Sequence, residues 1–170
     1  MQALNRETAQ KSHNLPLKIM QFGGGNFLRA FVDWMVDILN EETDFNGGIA
    51  VIKPTAGGDY AELKSQDGLF TVVLDGVKEG RQINEKHLVT SVQKVVNCYT
   101  EWSNYLELAE NPDIRFIVSN TTEAGIQFNS KNKKEDTPPG EFPAKLTLWL
   151  LHRFEYFDGN TDKGCIFLPC

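Results

Sequence analysis

Three consecutive glycines, Gly23 to Gly25, constrain the fold of this chain more than any other feature. They follow Leu17 to Phe22, an apolar-rich stretch typical of a strand, and precede Asn26 to Asn40, whose apolar residues recur at helical spacing. A second strand is predicted over Ile49 to Ile52. The sequence therefore predicts a strand–turn–helix–strand unit, the building block of parallel sheets. We expect the apolar face of the helix to pack in the core; it comprises Phe27, Phe31, Trp34, Met35, Ile38 and Leu39.

The middle of the chain has the pattern of paired strands. Leu69 to Leu74 is typical of a strand, Asp75 to Gly80 of a turn, and Leu88 to Cys98 of a further extended stretch. We expect these residues to form an antiparallel insertion at the edge of the sheet.

The second half of the chain returns to helices alternating with short apolar strands. The predicted elements are a helix over Glu101 to Glu110, a buried strand over Ile114 to Ser119, a surface loop over Ile126 to Gly140, a helix over Ala144 to Tyr156 and a last buried strand over Cys165 to Cys170. In open α/β sheets the residues just after a strand line the ligand crevice. Because the chain stops where the last strand ends, we expect residues 1–170 to be the N-terminal domain of a longer, two-domain protein.

The glycine stretch lies where α/β proteins bind the phosphates of a dinucleotide. Glycines let the backbone turn tightly and approach a pyrophosphate, and the following helix offers free N–H groups. Gly23 and Gly25 match the first two glycines of the G-x-G-x-x-G pattern, and Leu28 takes the third position. The alternative is a tight turn without a ligand. The dinucleotide interpretation predicts a Rossmann-like, doubly wound fold that binds NAD; its candidate contacts are Phe22, Gly23, Gly24, Gly25, Asn26 and Phe27.

Two charged positions near this turn have more than one interpretation. Arg29 either binds a phosphate or a substrate carboxylate, or is a solvated helix residue. The end of the second strand, where dinucleotide folds usually place an acidic residue for the ribose hydroxyls, carries Lys53. Lysine there either favours a 2′-phosphate or points to solvent, and Asp59 is the nearest acidic candidate. The residues alone do not decide whether the cofactor is NAD or NADP.

A polar cluster follows the predicted strand that ends at Ser119. At the carboxyl end of a central parallel strand, hydroxyl, amide and carboxylate groups are placed to hydrogen-bond a ribose, a carboxamide or a polyol. The alternative is a capped turn that serves only the local backbone. We expect cofactor contacts from Asn120, Thr121, Thr122 and Glu123.

Composition argues against several other classes of protein. The chain carries a formal charge of −6 without a basic stripe, which argues against nucleic-acid binding. Its apolar runs are far shorter than the roughly 20 residues that a membrane helix needs, and its N-terminus is polar. Neither cysteines nor histidines show the spacing of metal ligands. We expect a cytoplasmic protein with reduced thiols and no metal; the residues concerned are Cys98, Cys165, Cys170, His13, His87 and His152.

Several of these stretches, taken in order, resemble the mannitol dehydrogenase family of long-chain polyol dehydrogenases. They span nearly the whole chain: Gln21 to Trp34, Gln66 to Thr71, Ser119 to Gly125, Phe142 to Thr147 and Lys163 to Cys170. Several long motifs in the correct order are more specific than any one of them. The chain departs from the family at Gly24, where a larger residue, often Glu, is expected.

The resemblance implies an N-terminal Rossmann-type domain and a mostly helical C-terminal domain that is absent from this chain. It also implies NADH-dependent reduction of D-tagaturonate to D-altronate in hexuronate catabolism, without catalytic zinc. The family's acid/base lysine and its Asn and His companions belong to the C-terminal domain, so the expected lysine lies beyond residue 170. No residue of this chain is therefore assigned as the acid/base, and neither Lys145 nor Lys163 is taken for it.

Two other functions stay open. One is a related dehydrogenase of the same family that acts on mannitol or fructuronate. The other is a module that binds NAD without any chemistry. In each case the expected partners are NAD(H) and, for an enzyme, a sugar-acid or polyol substrate together with the missing C-terminal domain.

Overall fold

The computed structural model describes residues 3–11 and 14–169, in which a central sheet has helices on both faces. His13 and Cys170, for which the sequence predicts neither a metal nor a disulfide, lie outside the described residues. The strands are β1 (Leu17–Phe22), β2 (Gly48–Lys53), β3 (Phe70–Lys78), β4 (Arg81–Val89), β5 (Val92–Asn97), β6 (Phe116–Ser119) and β7 (Ile166–Pro169). The helices are α1 (Asn26–Leu28), α2 (Trp34–Glu42), α3 (Ala61–Ser65), α4 (Trp102–Glu107) and α5 (Phe142–Tyr156). A π-helical turn, Arg29–Asp33, joins α1 to α2, and short 3₁₀ turns cover Leu108–Glu110, Glu123–Gly125 and Thr161–Lys163.

The central sheet has five strands, all parallel, in the order β5-β2-β1-β6-β7. From β1 the chain moves outward through β2 to β5, then crosses to the other side of β1 and moves outward through β6 to β7. The direction of winding therefore reverses between β1 and β6, which is the position where open α/β sheets form their ligand crevice. This topology confirms the doubly wound, mostly parallel fold expected from the sequence.

Both faces of the sheet are buried at its centre, as parallel sheets require. In β2, Ile49 and Val51 pack on one side, among residues of α1, α2, α3 and the β3–β4 hairpin. Ala50 and Ile52 pack on the other side, among residues of α4 and α5. All four side chains are inaccessible to solvent, so β2 is a continuous apolar run.

The prediction that the last strand is buried is wrong. β7 lies at the edge of the sheet, and Ile166, Phe167 and Leu168 are 57%, 43% and 45% exposed.

The antiparallel pair is present, but its boundaries differ from the prediction. β3 continues through the predicted turn to Lys78, and Glu79 and Gly80 make the actual turn, with φ angles of 52° and 76°. Two successive residues of positive φ are the signature of the tightest hairpin turns. The predicted stretch Leu88 to Cys98 is divided: Val89 ends β4, whereas Val92 begins the outermost strand of the parallel sheet. The pair β3–β4 forms a two-stranded sheet of its own.

The first helix buries a different face from the one predicted. Phe31 and Met35, expected in the core, are 51% and 49% exposed, whereas Leu28, Asp33 and Val36 are buried. The difference begins before the π-helical turn, since Phe27 is exposed and Leu28 is buried in α1. The apolar stripe thus faces solvent; its members are Phe27, Phe31, Met35 and Leu39.

Candidate cofactor-binding site

The glycine turn connects β1 to α1 at the point where the sheet reverses its winding. Gly23 has a φ of +107°, which L side chains rarely adopt, and its N–H donates to the carbonyl of Ile52 in β2 at 2.9 Å. The N–H of Gly24 donates to the Tyr60 hydroxyl at 2.7 Å. A Cβ on residue 24 would lie 3.0 Å from the Tyr60 ring. Tyr60 therefore takes up the space that a larger residue at position 24 would need, and it fixes the turn.

Gly25 differs from the two glycines before it because nothing among the described residues requires a glycine there. Its φ of −69° and ψ of 164° suit any residue, and an added Cβ would meet no atom within 4 Å. Gly25 is the N-cap of α1, and no side chain caps this helix end. The first N–H groups of a helix have no partner within the helix, and the residues at this end of α1, Gly25, Asn26 and Phe27, are exposed. Such a surface admits the close approach of an anionic ligand.

The other predicted contacts on this side of the site divide into exposed and buried groups. Asn26 and Phe27 are exposed. Phe22 packs its ring in the core, edge-to-face against Phe142, with ring centroids 4.8 Å apart, so only its backbone can reach a ligand at the turn. Arg29 is half-buried: its Nη2 donates to Asn26 Oδ1 at 2.7 Å and its guanidinium lies 5.6 Å from the ring centroid of Phe70.

The polar cluster after β6 leaves the sheet beside the glycine turn. In the β1–β6 pairing Phe22 lies opposite Ser119, so the residues that follow each of them emerge at the same edge. Asn120, Thr122 and Glu123 are exposed there, and Thr121 is half-buried. The register therefore brings the two predicted groups of cofactor contacts together, although they are far apart in the sequence.

Two buried polar residues beneath the turn carry no sequence signal of a site. Gln21 donates from Nε2 to the carbonyl of Gly23 at 3.1 Å. Asp33 is completely buried, and neither of its carboxylate oxygens has a hydrogen-bond partner within the described residues. Burial raises the pKa of Asp33 to about 7. Apolar periodicity gives no reason to expect a carboxyl group on the buried face of this helix.

Asp37 lies one helical turn after Asp33, and both oxygens of its carboxylate have hydrogen-bond partners. Its Oδ1 accepts from the backbone N–H and hydroxyl of Thr90 at 2.8 and 2.9 Å, and its Oδ2 lies 2.7 Å from His87 Nε2. Ligand atoms of Asp37, Glu41 and His87 lie within 4.8 Å of one another. Because both oxygens of Asp37 are engaged, this cluster serves to anchor the β3–β4 hairpin to α2.

The sequence left two interpretations of Lys53 open, a side chain that points to solvent or a contact to a 2′-phosphate, and its position agrees with neither. Its side chain is buried, 2% exposed, so it does not point to solvent. Its ammonium group donates to the backbone carbonyls of Thr55 and Ala56 and is therefore not free to hold a 2′-phosphate. Asp59 is exposed, and its Oδ1 accepts from the N–H of Ala61 at 3.2 Å at the start of α3.

The surroundings of the cysteines and histidines, and the character of the helices, bear on the thiol, metal and membrane questions raised by the sequence. Cys98 and Cys165 are free thiols, and burial raises the pKa of Cys98 to about 12. His152 lies 3.0 Å from Glu110, so His152 and His87 both have carboxylate partners. None of the helices among the described residues has the length and apolar character needed to cross a bilayer.

Comparison with known proteins agrees with the fold. The family model of the mannitol dehydrogenase Rossmann domain matches residues 17–170. Altronate oxidoreductases from Yersinia enterocolitica and Bacillus subtilis are 52% and 44% identical to the chain over its whole length. The chain spans about a third of these relatives, 35% of their length.

Solved structures share the fold at low sequence identity. Mannitol 2-dehydrogenase of Pseudomonas fluorescens, in a ternary complex with NAD and D-mannitol, superposes with a TM-score of 0.77 at 18% identity, covering 98% of this chain and 38% of that one. A substrate-free D-sorbitol dehydrogenase superposes with a TM-score of 0.72 at 20% identity, covering 98% and 39%. From the family match over residues 17–170, the chain belongs to the mannitol dehydrogenase family, whose Rossmann domain it contains.

Proposed function

We propose that this chain is the NAD-binding domain of an oxidoreductase that reduces D-tagaturonate to D-altronate with NADH in hexuronate catabolism. The observation that carries the cofactor assignment is Gly25. It is a glycine without a structural need, at the uncapped end of a helix, where the sheet reverses its winding. A glycine at such a position is explained by a ligand that approaches the backbone closely.

In this proposal the pyrophosphate lies on the first turn of α1, against Gly25, Asn26 and Phe27. The partial positive charge at the helix N-terminus and the free N–H groups stabilise it there. The polar residues Asn120, Thr121, Thr122 and Glu123 follow the adjacent strand end, where Ser119 lies opposite Phe22. They are suited to the nicotinamide ribose or to the hydroxyl groups of the substrate.

The contacts of Lys53 favour NAD over NADP. A site for NADP holds the 2′-phosphate with a cation that is free to reach it. The ammonium of Lys53 is already bound by two backbone carbonyls in a buried position. The NAD present in the mannitol 2-dehydrogenase complex agrees with this choice for a protein of the same fold.

The substrate assignment rests on the altronate oxidoreductases that are 44–52% identical to this chain. NADH supplies the hydride for reduction of a ketone, and the reaction also needs a proton donor for the developing alkoxide. The family resemblance assigns that donor to a lysine of a C-terminal domain. The 35% coverage of the relatives is consistent with a further domain that completes the substrate pocket.

Calorimetric titration of NADH into the chain and into Gly25→Val tests the phosphate-binding turn. Because a side chain at position 25 meets no protein atom, the substitution should change stability by no more than about 1 kcal/mol. It should weaken binding by about tenfold or more, or about 1.4 kcal/mol, because the valine occupies the space of the pyrophosphate.

Gly76→Val is the matched control, since Gly76 is also exposed, has an ordinary φ, and would carry an added Cβ without meeting any atom within 4 Å. It lies in β3, away from the glycine turn, and the control should bind NADH like the unmodified chain. Equal affinity of the Gly25→Val protein and the unmodified chain would contradict the assignment.

A further inference from the structure

A tyrosine hydroxyl lies against the backbone of the glycine turn. Tyr60 ends the loop between β2 and α3, and its hydroxyl accepts the Gly24 N–H at 2.7 Å. Gly24 does not have a positive φ, so its backbone angle alone does not require a glycine. An added Cβ, however, would lie 3.0 Å from the Tyr60 ring. Glycine at position 24 therefore admits Tyr60 to this place beside the turn.

The Tyr60 hydroxyl uses only its acceptor side within the protein. A phenol can donate one hydrogen bond as well as accept. Among residues 3–11 and 14–169, no acceptor receives the Tyr60 proton; the hydroxyl's hydrogen bond is the one from Gly24. The side chain is half-buried, and burial raises the pKa of Tyr60, so the hydroxyl keeps its proton at neutral pH. A donor without an acceptor thus stands beside the glycine turn.

The polar side chains that precede Tyr60 in the same loop are engaged locally. The ammonium of Lys53 is held by backbone carbonyls. The Thr55 hydroxyl donates to a backbone carbonyl at 3.3 Å, and Asp59 Oδ1 accepts from a backbone N–H at 3.2 Å. Tyr60 is therefore the residue of this loop that offers a hydrogen-bond donor to a ligand at the turn.

The charge nearest to the Tyr60 hydroxyl on the first helix favours an anion. The positive charge of Arg29 acts on Tyr60 and opposes the effect of burial on its pKa. Arg29 directs Nη2 to the neutral amide oxygen of Asn26, and it forms no salt bridge in the part of the chain that the structure describes. A hydroxyl donor beside a cation without a carboxylate partner suits a phosphate oxygen.

We propose that Tyr60 is a cofactor-binding residue, whose hydroxyl donates to a phosphate oxygen of the cofactor while it accepts the N–H of Gly24. Gly24 directly precedes Gly25, against which the pyrophosphate lies in the proposed function, and the inference rests on that function in this respect. The other oxygen-rich acceptor of a dinucleotide is a ribose hydroxyl. The experiments separate the two acceptors.

The first test is the affinity of Tyr60→Phe, which keeps the ring and removes the hydroxyl. A hydrogen bond to a charged group is lost, so the Kd for NADH and for ADP should rise by about tenfold. Inorganic pyrophosphate, titrated by NMR, should lose affinity by the same factor. Tyr156→Phe, 56% exposed at the end of α5, is the matched control and should bind all three like the unmodified chain.

A loss confined to NADH and ADP would show that the hydroxyl binds a ribose and would overturn the proposal. Unchanged NADH affinity in Tyr60→Phe, together with weakened binding by Gly25→Val, would contradict the role of Tyr60 and leave the proposed function intact. Absence of NADH binding by the unmodified chain would contradict both.

NMR of tyrosines labelled with ¹³C at Cζ separates a direct contact from a turn that is merely loosened in Tyr60→Phe. The Tyr60 resonance is the one absent from that variant. Because donation to a phosphate makes the phenol more like a phenolate, this resonance should move downfield with pyrophosphate, with the same Kd as the amides of α1. A resonance that stays in place while the amides saturate would contradict the contact.

Gly24→Ala tests whether residue 24 acts through the hydroxyl. The added methyl displaces the Tyr60 ring, so NADH affinity should fall in the unmodified background. In Tyr60→Phe, which has no hydroxyl to displace, the same substitution should have little further effect. Equal losses in the two backgrounds would mean that residue 24 and the hydroxyl act independently, against the proposal.

Discussion

Phe22 and Ser119 lie opposite each other in the register of β1 and β6, the two strands between which the sheet reverses its winding. The glycine turn follows one of them and the polar cluster follows the other. This register brings two segments that are nearly a hundred positions apart to the same edge of the sheet. It is the structural basis for treating them as a single cofactor site.

The stability of the chain should depend on pH through Asp33. Its pKa is raised from 3.8 to about 7, so the folded state binds the proton more tightly than the unfolded state. The stabilisation is fully present below about pH 4, decreases as the pH rises, and is lost above about pH 7. The change amounts to a few kcal/mol at most, at about 1.4 kcal/mol per pKa unit.

Urea unfolding of the chain and of Asp33→Asn between pH 4 and pH 8 measures this contribution. The difference between the two proteins isolates Asp33 from carboxyl groups with lowered pKa values, such as Glu101, whose contribution has the opposite sign. The difference in unfolding free energy should shift steadily against the unmodified chain as the pH rises. A difference that does not change with pH would mean that Asp33 is ionised throughout.

Lys53 should contribute to stability without selecting the cofactor. Lys53→Met leaves the carbonyls of Thr55 and Ala56 without their donor and should cost about 1–3 kcal/mol. The ratio of NADH to NADPH affinity should stay in favour of NADH in both proteins, as measured by fluorescence titration. Tight NADPH binding that is lost in Lys53→Met would show that the lysine reaches the 2′-phosphate instead.

The exposed apolar stripe should make the chain associate with itself. Phe27 and Phe31 stack with ring centroids 5.5 Å apart, and both are about half exposed. Contiguous apolar surface of this kind favours association. Phe31→Gln should shift the association observed by sedimentation velocity toward the monomer, whereas Val77→Gln, at a position in β3 that is 74% exposed, should not. Equal association of the two variants would exclude the stripe as the contact surface.

The chain should not oxidise NADH in the presence of D-tagaturonate. The described residues provide a nucleotide platform, but hydride transfer also needs a proton donor and a closed pocket that fixes the ketone beside the nicotinamide. The altronate oxidoreductase of Bacillus subtilis, of which the chain spans 35%, is the positive control. Absorbance of NADH should fall with the control enzyme only. Comparable turnover by the chain would place the acid/base within its own residues.

The local unit around the glycines was predictable because its signals are short-range. A strand of apolar residues, a glycine turn and a helix each follow from neighbouring residues, and β1 has the predicted bounds Leu17–Phe22. The place of β6 next to β1 follows from the general topology of such sheets. These features were sufficient to identify both the fold class and the candidate site.

Features that depend on long-range contacts were not predictable from these patterns. The first helix buries Asp33 while its most regular apolar stripe faces solvent, because the face that packs on the other elements is chosen by tertiary contacts. Tyr60 contacts Gly24 from another element, and Lys53 turns inward to backbone carbonyls. In each case a polar group is satisfied or buried by tertiary packing, on which apolar periodicity carries no information.

NMR titration of the ¹⁵N-labelled chain with NADH tests the central claim most directly. If the pyrophosphate lies on α1, the backbone amides of Gly25, Asn26 and Phe27 should show the largest shift changes, together with those of Asn120 to Glu123. Amides of the β3–β4 turn at Glu79 and Gly80 should not respond. Changes confined to other surfaces, or none at NADH concentrations that saturate dinucleotide-binding domains, would contradict the claim that the cofactor binds at the point where the sheet reverses its winding.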